Sequence, residues 1–103
     1  MAGFVQIIEY RTSKPDEIKA LMDDYSAKRE AEGSGPMPVR SLNCADRDEP
    51  GRYFAIVEFA SYEDAMANSG RADTTEFSQQ MMALCDGPSR FYNLDLVDEM
   101  DNR

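Results

Sequence analysis

The stretch RYFAIVEFASYEDA, residues 52–65, decides the architecture. Its first eight residues are dense in aromatic and β-branched side chains and free of Gly and Pro, which predicts a strand over 52–59. Ser61 followed by Asp64 then has the spacing at which a serine oxygen caps the backbone of a helix beginning at Tyr62. The helical pattern halts at Gly70. Upstream, RDEPG (47–51) is a turn punctuated by Pro50 and Gly51, and VRSLNCAD (39–46) is a second strand, so the two strands form a hairpin.

Working outward, FVQIIEY (4–10) predicts an opening strand with apolar residues on both faces: Phe4, Ile8 and Tyr10 on one, Val5 and Ile7 on the other. SKPD (13–16) predicts a helix start with Ser13 as the cap and Pro15 in the first turn. Ile18, Leu21, Met22 and Tyr25 follow at helical spacing, and the helix should run to about Glu32 and stop at Gly33. GSGPMP (33–38) is a loop. Beyond Gly70 a second helical piece places Phe77, Met81, Leu84 and Cys85 on one stripe, and DGP (86–88) ends it. RFYNLDLV (90–97) alternates as a last strand. The order β-α-β-β-α-β predicts one α+β domain over residues 1–103, with a four-stranded antiparallel sheet and helices on one face, the ferredoxin-like plan.

Composition narrows the chemistry. Twenty acidic against 11 basic residues give a net charge of −9, a surface that repels phosphate backbones and anionic membranes. No histidine is present, and the two cysteines, Cys44 and Cys85, form no CxxC pair. The usual Cys/His zinc site and histidine-based triads are thereby excluded, and no metal site is expected. No apolar run is long enough to span a bilayer and no signal-peptide pattern opens the chain, so the cytoplasm is the expected compartment. The seven methionines, Met1, Met66, Met81 and Met82 among them, suit core filling or an adaptable apolar pocket.

Two families share this topology. Arg52, Phe54, Ala55, Val57 and Phe59 resemble the RNA-contacting strand of RNA-recognition domains, although Tyr53 stands where that signature has glycine. That resemblance covers one strand and one cap, and its implied stacking partner on the first strand is missing, since Gln6 is expected there. Nearly the whole chain resembles the dimeric α/β-barrel superfamily and its antibiotic-biosynthesis monooxygenase-like branch. The resemblance rests on the opening strand, the Pro15-Asp16-Glu17 helix start, the passage from Asp46 to Ala65, and the second helical region split near Gly70. It implies two protomers laying their sheets face to face in a barrel with the helices outside. It also implies a small pocket in each half and oxidation of aromatic metabolites without a cofactor.

The residues agree with pairing. The expected open face collects Phe4, Ile8, Tyr10, Phe54, Ile56, Phe91 and Val97, a large apolar patch for a lone domain, which a second copy would cover. Gln6, Glu58, Asn93 and Asp95 are expected among them. They either hydrogen-bond one another or Arg40, or they line a ligand pocket with Phe54 and Ile56; Gln6 and Asn93 are the polar ligand-binding candidates. Glu58 or Asp95, if desolvated, could serve as a base. The family resemblance implies Asn, Trp, Tyr and Arg as substrate-holding groups; this chain has no tryptophan, and offers Asn68, Tyr10, Tyr53 and Tyr92. Asn68 stands at the break between helical pieces, where a helix-terminal role is the alternative. The catalytic candidates are therefore Tyr10, Glu58, Asn68 and Asp95. The expected function is binding of a small hydrophobic ligand, with cofactor-independent monooxygenase-like chemistry; the alternatives are a non-catalytic dimeric module and an RNA binder.

Overall fold

A computed structural model describes residues 3–33, 35 and 37–100. Met1, two residues of the expected 33–38 loop (Ser34 and Pro36) and the last part of the acidic end lie outside the described residues. The elements in chain order are β1 (Phe4–Arg11), α1 (Pro15–Glu32), β2 (Arg40–Ala45), β3 (Arg52–Phe59), α2 (Tyr62–Ser69), α3 (Ala72–Ala83) and β4 (Arg90–Asp95). The four strands form one antiparallel sheet in the order β2-β3-β1-β4, the ferredoxin-like arrangement.

Local chemistry fixes most of these boundaries. Ser61 caps α2, its hydroxyl accepting from Asp64 N–H at 3.1 Å. α1 ends where Gly33 turns left-handed (φ 65°) and its N–H bonds to Arg29 C=O at 3.0 Å, a conformation that favours glycine. The start of α1 departs from expectation. Ser13 does not cap it; with Pro15 as the first helical residue the cap position falls on Lys14, one residue too late for Ser13. Thr12 serves instead from outside the helix, its hydroxyl accepting from Lys14 N–H (2.9 Å) and donating to Leu84 C=O (2.7 Å).

Strand register corrects the expected faces. Tyr10 stands opposite Tyr53, Ile8 opposite Ala55 and Phe91, and Phe4 opposite Phe59 and Asp95. Opposed residues share a face. Phe4, Ile8, Tyr10 and Phe91 therefore lie on the helix side, while Phe54 and Ile56 lie on the other. Val97 follows the end of β4 and is 93% exposed. The open face is built instead from three rows across the sheet: Arg40–Glu58–Val5–Leu94, Leu42–Ile56–Ile7–Tyr92 and Cys44–Phe54–Glu9–Arg90. It remains apolar at its centre, but with different β1 and β4 residues from those expected.

Two core clusters sit between sheet and helices. Tyr10, Ile18, Ala55 and Met81 form one, with Leu21, Met22, Phe77 and Leu84 against it; Phe4, Phe59 and Ala65 form the other. No helix among the described residues is long and apolar enough to cross a membrane.

Candidate functional site

Between these clusters the helix side of the sheet presents small or polar residues, Gln6, Ser41, Asn43 and Ala55, rather than bulky ones. Interior packing has nothing there to fill the gap, and a cavity of about 420 Å³ remains beneath α1, α2 and α3. That is within the range of small-molecule sites. Its walls include Met22, Met37, Val57, Phe59 and Met81, which make it largely apolar. A smaller groove of about 210 Å³ between α1 and α3 carries Asp24, Glu32, Asp73 and Glu76 and falls below that range.

One end of the cavity is polar and tightly connected. Arg29, 2% exposed, lines it from α1. Its Nη1 donates to Asn68 Oδ1 at 2.6 Å and to Tyr25 Oη at 2.9 Å. Tyr25 Oη and Thr74 Oγ1 are 2.7 Å apart, and the Tyr25 ring stacks on Phe77 with centroids 4.4 Å apart. Three helices thus converge on one guanidinium: α1 through Tyr25 and Arg29, α2 through Asn68, α3 through Thr74. The signal for Arg29 was in the sequence, since it continues the stripe Ile18–Met22–Tyr25 at helical spacing. A charge on a buried stripe marks an exception that needs partners.

The candidates named from sequence separate into different environments. Asn68 and Gln6 line the cavity. Gln6 Nε2 donates to Asn93 Oδ1 (3.1 Å) across the β1–β4 pair, so Asn93 touches the cavity's wall residue rather than the cavity. Tyr10 is 1% exposed in the core; its hydroxyl donates to Asn43 Oδ1 at 2.6 Å and its ring stacks on Tyr53 at 5.5 Å. Burial pushes the Tyr10 phenol up, against the opposing effect of the Asn43 bond, so it stays protonated at neutral pH. Asp95 ends β4 on the helix side, exposed and outside the cavity. Glu58, Phe54 and Ile56 lie on the open face, Glu58 beside Arg40 at 3.5 Å.

Gln6, Glu58, Asn93 and Asp95 therefore do not converge: Glu58 is on the opposite side of the sheet from the other three. The strand register puts Glu58 opposite Arg40 and Val5, whereas Gln6, Asn93 and Asp95 share the helix side. Tyr92 is also on the open face, its hydroxyl donating to Glu9 Oε1 at 3.0 Å. Arg52 donates to Glu9 Oε2 (3.1 Å) and lies 5.0 Å from the Phe54 ring centre. These hydrogen bonds, Arg52's first, hold the Glu9 carboxyl below the usual carboxylate range. The β1 residue beside Phe54 is thus Glu9, not Gln6 and not a second aromatic ring. A paired carboxylate there gives bases nothing to stack on and repels phosphate. No group of three or more Cys, Asp or Glu residues suited to a metal ion occurs among the described residues.

No protein-family model and no curated protein sequence matches this chain. Solved structures do. A conserved protein from Methanosarcina mazei superposes with a TM-score of 0.76 at 9% identity, over 91% of this chain and 92% of its own. An asparagine-to-alanine variant of SnoaB, a cofactor-independent oxygenase from Streptomyces nogalater, gives 0.76 at 14% identity, over 96% of each chain. A protein from Caulobacter crescentus described as an antibiotic biosynthesis monooxygenase gives 0.72 at 21% identity, over 94% of this chain and 90% of its own. This chain has the fold of the antibiotic biosynthesis monooxygenase-like proteins: a ferredoxin-like sheet with its helices gathered on one side.

Proposed function

We propose that the cavity between sheet and helices binds a small hydrophobic, aromatic metabolite, and that the protein oxidises it with O2 and without a cofactor. One observation supports this above the others. Asn68, a polar side chain at the break between α2 and α3, reaches an apolar cavity of about 420 Å³ and is fixed there by a buried arginine. A few oriented polar groups among apolar walls are what a small-molecule site needs. The fold shared with a cofactor-independent oxygenase is consistent with that reaction class and supports the reading. In this reading Asn68 holds an oxygen of the substrate as negative charge develops on it, and Met22, Met37 and Met81 adapt to the rings. Two copies pair through their open sheet faces, which leaves each cavity on the outer, helical side of its own protomer.

Oxygen uptake with a panel of phenols and quinols tests the proposal. Wild-type protein is expected to consume O2 with at least one compound, and Asn68→Ala is expected to slow it by about a hundredfold, the loss typical for removing one oxyanion donor. A panel that neither raises the melting temperature nor consumes O2 would end this reading. Compounds that stabilise the protein without O2 uptake would instead favour a non-catalytic ligand-binding module. The second reading has its own support: the carboxylates Glu58 and Asp95, the candidate bases, both lie outside the cavity.

A further inference from the structure

The contact between Arg29 and Asn68 fixes more than a position. A guanidinium has donors and no acceptor. The Asn68 atom 2.6 Å from Arg29 Nη1 must therefore be the carbonyl oxygen, and the amide has only one orientation available. Its nitrogen, Nδ2, is turned from the guanidinium, and among the described residues it donates to no protein atom. Asn68 lines the cavity, so its two N–H bonds are free to meet a ligand there. Tyr25 repeats the pattern. Its oxygen accepts from Arg29 and lies 2.7 Å from Thr74 Oγ1, where either hydroxyl can donate to the other, so one hydroxyl hydrogen of the pair is left over. Both residues line the same end of the cavity.

At that end the Asn68 carbonyl oxygen is engaged, the amide N–H groups and one hydroxyl hydrogen are left to donate, and a buried positive charge stands behind them. Two acids stand near, each paired with a cation of its own, although Asp73 also feels the charge of Arg29. Asp23, also on the cavity wall, is held by Lys19 at 2.8 Å, and Asp73 by Arg71 at 2.9 Å.

We infer that the cavity selects aromatic ligands that present an anionic oxygen, carboxylate or phenolate, to Asn68 Nδ2, and that Arg29 is the positioning residue that sets this preference. The inference rests on the cavity being a ligand site. Arg29 acts in two ways: it denies the amide its flipped orientation, in which the oxygen would face and repel the anion, and it adds the attraction of a charge that is itself buried. A neutral ketone of the same shape gains the hydrogen bond but not the charge, and an ammonium meets donors and a like charge.

Calorimetric titration with three ligands of one ring system, 2-naphthoate, 2-acetonaphthone and 2-naphthylmethylammonium, separates the possibilities. In wild-type protein the naphthoate should bind about ten- to a hundredfold more tightly than the ketone, the worth of a hydrogen bond to a charged group, and the ammonium weakest. Arg29→Gln should bring naphthoate and ketone to within about threefold of each other, and Arg29→Lys should restore part of the difference. Asn68→Asp, which substitutes at a partly exposed site and keeps an acceptor for Arg29, should invert the order in favour of the ketone even if the Arg29 variants fail to fold. The ratio of naphthoate to ketone affinity is the decisive quantity, because a purely structural role for Arg29 would weaken both ligands together. Equal affinities in wild-type protein, or a ratio unchanged by Asn68→Asp, would overturn the anion preference while leaving the cavity as a binding site. Failure of all three ligands to bind would remove both.

Discussion

Burying an arginine costs several kcal/mol unless its hydrogens find oxygens, and Arg29 Nη1 finds two on other side chains. The same rule governs Tyr10, whose hydroxyl is enclosed by Ile18, Ala55 and Met81 and reaches Asn43. Removing only that hydroxyl should cost about 1 kcal/mol, so Tyr10→Phe is expected to lower the urea midpoint slightly. Tyr10→Ala also empties the space beside Tyr53 and should cost about 3–5 kcal/mol, by analogy with other buried aromatic truncations. A Phe variant as stable as wild type would mean that the Asn43 bond contributes nothing. Tyr10 therefore lies in the core with its hydroxyl held by Asn43.

Two helix starts have the same sequence spacing, Ser-x-x-Asp at 13–16 and at 61–64, and only the second is a cap. Ser61→Ala should therefore destabilise the protein by about 1 kcal/mol, whereas Ser13→Ala should leave the denaturation curve within about 0.5 kcal/mol of wild type. Comparable losses from both would contradict the observed caps. The contrast explains what could be read from the chain. Boundaries set by local chemistry were legible: β3 at Arg52–Phe59, the α2 start at Tyr62, and the α1 stop at Gly33. Sheet faces were not, because alternation within a strand says which residues share a side but not which side faces the helices. That depends on pairing, and a one-residue difference in register exchanges every side chain. Asn68 stands out at the helix break, while Arg29 reads as an ordinary solvated helical charge unless its place on the stripe Ile18–Met22–Tyr25 is weighed.

At the scale of the molecule, the row Leu42–Ile56–Ile7–Tyr92 leaves an apolar band across the middle of the sheet face opposite the helices. Each Å² of apolar surface removed from water by the proposed pairing is worth about 25 cal/mol, offset by the cost of association. With a charge of −9 on each copy, pairing also works against long-range repulsion and should strengthen as salt rises. Sedimentation equilibrium at micromolar concentration is expected to give twice the chain mass for wild type and the single-chain mass for Ile56→Glu, which sets a carboxylate in the centre of the band. A wild-type protein that sediments as one chain under these conditions would exclude the pairing.

The end of the molecule near Thr12 is stitched by four hydrogen bonds. Thr12 joins the entry of α1 to the exit of α3 through its hydroxyl, its N–H bonds to Gly51 C=O at 3.0 Å, and Asp86 N–H bonds to Arg11 C=O at 2.7 Å. The cavity lies farther along, beneath the later turns of α1 and the first turns of α3. There the same two helices are joined a second time, through Tyr25 and Thr74, so α1 and α3 are fastened at both ends and the chamber beneath them is built before a guest arrives.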